Sequence, residues 1–153
     1  MVSLLIAAFG AFLICGAFGL IYNIQSPLLL ALAGGVGALG CVAYQIVVDL
    51  GGGEPEASFV GAVVFSLAAW AASHFTHEPV IMFQAPALIP LVPGGDIYRM
   101  MSAFLVGEWS KGLEWGATAM AVAGMLLFGM LIVSAVPYSW SHLKQLGKDT
   151  WHF

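Results

Sequence analysis

The chain has 153 residues, of which 61% are hydrophobic and only 8% charged, with a formal net charge of −4. Soluble domains carry roughly 45–50% apolar and about 25% charged residues, so the polar residues here cannot cover a soluble core, and four lysines and arginines make no basic face for nucleic acid. A soluble enzyme, a disordered tail and a nucleic-acid binder are excluded, leaving an all-α, polytopic bundle of membrane helices in a single integral membrane domain.

A helix needs about 20 mostly apolar residues to cross a bilayer. Met1 to Val48 contain no Asp, Glu, Lys, Arg or His. Two spans are expected there, Val2–Ile21 and Pro27–Val48, divided by the polar turn Tyr22-Asn23-Ile24-Gln25-Ser26. Leu13-Ile14-Cys15-Gly16 is similar to a lipoprotein cleavage box, but Ile14 is too large for the position before the cysteine and no positively charged segment precedes it. The first segment is therefore expected to stay as a span. Cys15 and Cys41 match no metal or redox spacing and read as small packing residues. Ala33, Gly37 and Cys41 recur every four positions, and Gly34 with Ala38 repeats the step one residue on. Such spacing lets backbones approach closely in lipid, at a subunit interface or within the chain.

Asp49-Leu50-Gly51-Gly52-Gly53-Glu54-Pro55-Glu56 reads as an acidic loop, with Pro55 suited to the first turn of the next helix. That helix is expected over Ala57–Ser73 and closes at His74-Phe75-Thr76-His77-Glu78-Pro79. His74 and His77 stand about one helical turn apart with Glu78 adjacent, a spacing compatible with proton coupling. It would also suit two metal ligands, but no third firm ligand is near and an interfacial cap explains the cluster, so no metal is expected. A last span is expected over Gly116–Val136, with Gly112, Gly116 and Gly124 along one face. Trp115, Tyr138 and Trp140 flank it, and with Tyr22, Tyr44 and Trp70 they fit an aromatic belt.

Lys144 and Lys148 follow the last span, and the 49–56 loop has no Lys or Arg, so the C-terminus is expected on the cytoplasmic side of the cell membrane. Glu108, Lys111 and Glu114, three residues apart on a helix before that span, read as a solvated face with a Glu108–Lys111 pair. His142, His152 and Asp149 belong to a polar tail. Ser66 and Ser102 have no base partner, and no nucleophile–base set or phosphate-binding loop is present, so no cofactor and no enzyme activity are expected.

Val80–Val106 does not read as a simple span. Val80-Ile81-Met82-Phe83-Gln84-Ala85 begins a helix, but Pro86, Pro90 and Pro93 follow within eight residues, and then Gly94-Gly95-Asp96. Each proline removes a backbone donor and clashes with the carbonyl four residues earlier. The set is expected to break the helix, giving four full spans plus a proline-broken fourth element, with crossing as a fifth span the alternative. Irregular backbone at membrane depth is tolerated only where protein buries it or it lines a watery cavity. A second half-helix starting near Asp96, a good N-cap residue, would present N–H groups and a positive dipole end to a carboxylate near the midplane. Tyr98 offers a hydroxyl, and Arg99, the one arginine in the chain, a partner for a carboxylate. An Asp96–Arg99 pair at the membrane surface beside an interfacial loop is the plainer alternative.

Ala87-Leu88-Ile89-Pro90-Leu91-Val92-Pro93-Gly94, with Tyr98 four positions on, resembles the I-P-x-x-P-G-x-x-x-Y signature of the threonine/serine exporter family. In length and layout the chain is similar to small subunits corresponding to the C-terminal half of the full-length exporter. The resemblance implies a larger membrane partner matching the N-terminal half. It also implies export of small carboxylate metabolites, threonine and serine or a dicarboxylate such as succinate, driven by the proton gradient. Pro90, Pro93, Gly94 and Tyr98 carry over by motif. Gly95, Asp96 and Arg99 enter the expected substrate site by their own chemistry. A chain this short is expected to need a partner or self-assembly to enclose a pathway. A non-transporting assembly or scaffold subunit is the alternative, and a metal-dependent membrane enzyme built on His74, His77 and Glu78 a more distant one.

Overall fold

The computed structural model describes the backbone of residues 2–146 and the side-chain surroundings of residues 4–135. Tyr138, Trp140, His142, Lys144, Lys148, Asp149 and His152 lie outside the residues whose side chains are described. The described residues form six α-helices and one 3-10 turn: α1 Val2–Ile21, α2 Pro27–Asp49, α3 Glu54–Thr76, α4 Ile81–Leu88, the turn Ile89–Leu91, α5 Gly94–Leu105 and α6 Trp109–Leu146. Four of them, α1, α2, α3 and α6, are long and apolar enough to cross a membrane.

Helix ends follow local chemistry. Pro27 opens α2 after Ser26 in extended conformation, a position where the missing N–H costs nothing. α3 begins at Glu54, inside the stretch read as loop, because the Glu56 carboxylate accepts the Gly53 N–H at 2.9 Å and Pro55 preorganises the first turn. It ends at His77, which caps it in the left-handed region at φ 60°. α6 is longer than the span expected from hydropathy. Its 38 residues would extend about 57 Å, and they absorb Lys111 and Glu114, which belong to no separate helix.

α1, α2, α3 and α6 pack side by side in that order, with α4 lodged against α1, α2 and α3. Phe65, Phe83, Ala62, Ala87, Leu91 and Leu126 form the centre of the core. Small residues set these approaches within the chain. A Cβ on Gly34 would meet the Phe12 ring at 2.8 Å, one on Gly40 would meet Phe65 at 2.9 Å, and one on Gly37 would overlap the Cys15 sulfur. Ala33 and Gly37 are buried with them, so this part of the four-residue repeat serves intramolecular packing.

α6 runs parallel to α3. Val122 shares a cavity with Glu54 and Ser58, Gly129 rests on Ala62 and the Phe59 carbonyl, and Val133 meets Ser66 and Trp70. Residues 109–121 therefore overhang the start of α3 by about 20 Å. α5 packs back along this overhang, with Met100 against Gly116 and Phe104 against Gly112. α4 and the 3-10 turn return the chain from the Thr76 end, where Val80 and His77 share a recess, to the Glu54 end, where Leu91 lines a cavity with Tyr44. The broken element thus recrosses the bundle and does not turn back on the side it entered.

Candidate functional site

The three prolines act differently. Pro86 sits inside α4 without ending it. Pro90 has no N–H for the Pro86 carbonyl, which instead accepts a tighter bond from the Ile89 N–H and one from the Cys15 thiol at 3.2 Å. Cys15 is therefore more than a packing residue, since it satisfies a carbonyl that a proline left open. The break comes at Pro93. A proline disfavours helical backbone in the residue before it, and Val92 is extended at ψ 134°. Pro93 itself (φ −74°, ψ 54°) forms an inverse γ-turn closed by the Gly94 N–H on the Val92 carbonyl at 2.7 Å.

α5 starts at Gly94 with Pro93 as its N-cap, so Asp96 is not the cap residue expected; it lies in the first turn. The γ-turn lets the helix begin two residues before Asp96, whose carboxylate complements the helix dipole from within. Among the described residues, the N–H groups of Gly95 and Asp96 donate to no protein acceptor. A Cβ on Gly94 or Gly95 would meet open space, so no close packing demands glycine at either position.

Pro93, Gly95, Asp96 and Arg99 line one cavity of about 220 Å³ with Tyr44 of α2, Glu54 and Ser58 of α3, and Val122 of α6. Asp96 is only 6% exposed. The Arg99 guanidinium donates to its Oδ1 at 3.4 Å and lies 4.7 Å from the Trp115 ring centroid. Glu54 lines the same space as Asp96, and its own backbone carbonyl accepts the Ser58 hydroxyl at 2.7 Å. Two carboxyls, a guanidinium, a phenol and a hydroxyl converge on a space that holds about seven waters at about 30 Å³ each. The cavity lies at the level of the first residue of α3. Along α6 the same cavity lies at Val122, the middle of the apolar stretch Trp109–Ala135.

A family model described as Threonine/Serine exporter, ThrE, matches residues 7–136. The chain belongs to the threonine/serine exporter family. That membership implies a transporter and not an enzyme, and the four apolar helices agree with a multi-pass membrane protein. No curated protein and no solved structure matches the chain.

In this exporter-family chain, the remaining site residues expected from sequence fall elsewhere. Tyr98 is 73% exposed and Pro90 lies in the 3-10 turn; neither they nor Gly94 are among the residues lining the cavity. His74, His77 and Glu78 line a separate recess with Trp70, Ser73 and Val80 at the far end of α3, about 30 Å from Glu54 along the helix. His74 stacks on Trp70, and the Ser73 hydroxyl donates to the Glu78 carbonyl. No group of three or more His, Cys, Asp or Glu able to hold a metal ion occurs among the described residues. Glu108 and Lys111 pair at 3.0 Å on an exposed surface. Glu54 was missed by sequence reasoning, which took it for a loop acid. Its location in a helical first turn was signalled by Gly53 and Pro55, but its approach to Asp96 across 42 residues was not.

Proposed function

We propose that the chain is the small subunit of a two-component exporter, and that the cavity at the α4–α5 break binds a zwitterionic amino acid such as serine or threonine. The observation that carries this reading is the clustering of Arg99 with Glu54 and Asp96 around one small space. The substrate carboxylate pairs with the free N–H groups of Arg99, Gly95 and Asp96, and its ammonium with the two carboxyls. A dicarboxylate such as succinate would set a second anion against Glu54 and Asp96, a juxtaposition that opposes binding.

The same carboxyl pair supplies proton coupling. Two carboxyls lining one small space repel each other while both are charged, and a proton or a cation between them relieves that repulsion. The other titratable groups facing them are Tyr44 from α2 and Arg99 from α5, and α6 contributes only Val122. A proton and the substrate ammonium therefore compete for the same oxygens, so an entering proton releases the amino acid. This moves the coupling role from His74, His77 and Glu78 to Glu54 and Asp96. With the C-terminus cytoplasmic, the histidine recess faces the cytoplasm and the carboxyl cavity faces outward.

The test is efflux of preloaded serine, threonine and succinate from cells lacking their own exporters, with the chain expressed alone and with a candidate larger subunit. Serine and threonine efflux only with both chains supports the reading. A stable complex that moves none of the three solutes favours the scaffold alternative. The exposed apolar residues Ile97, Met101 and Leu105 on α5 and Trp109 and Leu113 on α6 give that alternative its specific support.

A further inference from the structure

We propose that Ser66, Gln84 and Ser134 form a hydrated, uncharged binding station for the transported solute, about halfway along α3. The proposal rests on the exporter reading but concerns residues outside the Arg99 cavity. Ser66 lies about 18 Å from Glu54 and about 15 Å from Thr76 along α3. It lines a cavity of about 200 Å³ with Trp70, Val80, Gln84, Val133 and Ser134.

The Ser66 hydroxyl is fully buried and has no hydrogen-bond partner. Among the described residues it is the one buried side-chain polar atom left without a partner. Ser58, Thr76 and Thr118 each donate to the carbonyl four residues earlier, which is the ordinary way for such a group to be satisfied in a helix. Ser66 forgoes that bond and faces the cavity. Gln84, 7% exposed, lines the same cavity, and Ser134 lines it from an exposed position on α6. A buried hydroxyl left open beside a carboxamide implies a polar occupant, water or a solute with hydroxyl, ammonium or carboxylate groups.

The position and the lack of charge fit transit. Trp70 and Val80 are shared with the histidine recess, so the station continues toward the Thr76 end. Toward the Glu54 end, buried Leu126 follows Val122 by one turn of α6, and Leu91 closes the neighbouring cavity. A charged site here would hold an ionic solute too firmly to release it, whereas conduction needs binding favourable enough to enter and weak enough to leave. Hydroxyl and carboxamide groups supply that intermediate strength.

The proposal is tested in membranes from the efflux cells by labelling Ser66→Cys with the water-soluble reagent 2-aminoethyl methanethiosulfonate. Ala69→Cys, buried in the core one turn on, is the dry control. Ser66→Cys is expected to react about tenfold faster than Ala69→Cys, since a thiol must reach water to ionise, and L-serine is expected to slow it. Equal rates overturn the proposal. In the efflux assay, Ser66→Ala is expected to lower serine export about fivefold while leaving thermal stability unchanged or raised, because it removes an unpaired buried hydroxyl. Export at the unaltered rate by both Ser66→Ala and Gln84→Leu overturns it. Where the unaltered chain moves none of the three solutes, the exporter reading fails and the labelling rate alone decides the station.

Discussion

Pro90 withholds one N–H, and the effect reaches α1. The Pro86 carbonyl turns to the Cys15 thiol, and Gly37 must stay bare because a Cβ there would overlap that sulfur. Gly37→Ala is expected to destabilise the chain by about 1–3 kcal/mol through overpacking. Cys15→Ala is expected to cost about 1 kcal/mol for the lost bond and packing, yet to relieve Gly37→Ala in the double variant. Unfolding midpoints of the three variants in detergent measure this coupling. At the carboxyl cavity, Glu54→Gln is expected to flatten the pH dependence of export while leaving the chain in the membrane. Arg99→Lys is expected to lower export about tenfold, because an ammonium cannot both fork onto a carboxylate and stack on Trp115. These roles were unevenly legible in the sequence. Arg99 stood out as a lone arginine beside a broken helix. Glu54, Ser66 and Gln84 acquire their meaning only from partners on other helices, which no local pattern encodes.

At the scale of elements, hydropathy located the helices better than their ends. α1 and α2 are bounded by features that act on both hydropathy and helix, a polar turn and Pro27, and those bounds were readable. α3 and α6 extend into charged or polar residues, at Glu54–Glu56 and Trp109–Trp115, where hydropathy falls but nothing interrupts the backbone. The proline-rich break was readable in kind, since three prolines cannot leave a regular helix. Its position was not, because the pre-proline effect showed itself at Val92 while Ala85 and Ile89 remained helical. The bare space around Gly94 allows a sharp test. Gly94→Ala is expected to stabilise α5 by about 0.5–1 kcal/mol, measured by thermal unfolding. Gly94→Leu combined with Pro93→Ala is expected to abolish export by filling and straightening the break. Unchanged efflux from that pair would remove the break from the mechanism.

At the scale of the molecule, the chain crosses five times if the α4 return is counted, which sets its two ends on opposite faces of the bundle. Impermeant-reagent labelling of single cysteines in the 49–53 loop and after residue 146 is expected to mark opposite sides of the membrane. The polar features are strung along α3 from Glu54 and Ser58, through Ser66, to Ser73 and His74, with α6 alongside from Val122 to Ser134. α6 is unbroken over that distance and bears on α3 at Gly129, where a Cβ would lie 2.7 Å from that of Ala62. An unbroken helix that bears on its neighbour most closely at one point would tilt about that point. Trp115, under the Arg99 guanidinium, is about 21 Å from Gly129 on one arm, and Ser134 is about 7.5 Å away on the other. A sideways swing of about 3 Å at Trp115 thus moves Ser134 by about 1 Å in the opposite direction. A tilt of α6 that reshaped one cavity would thus reshape the other.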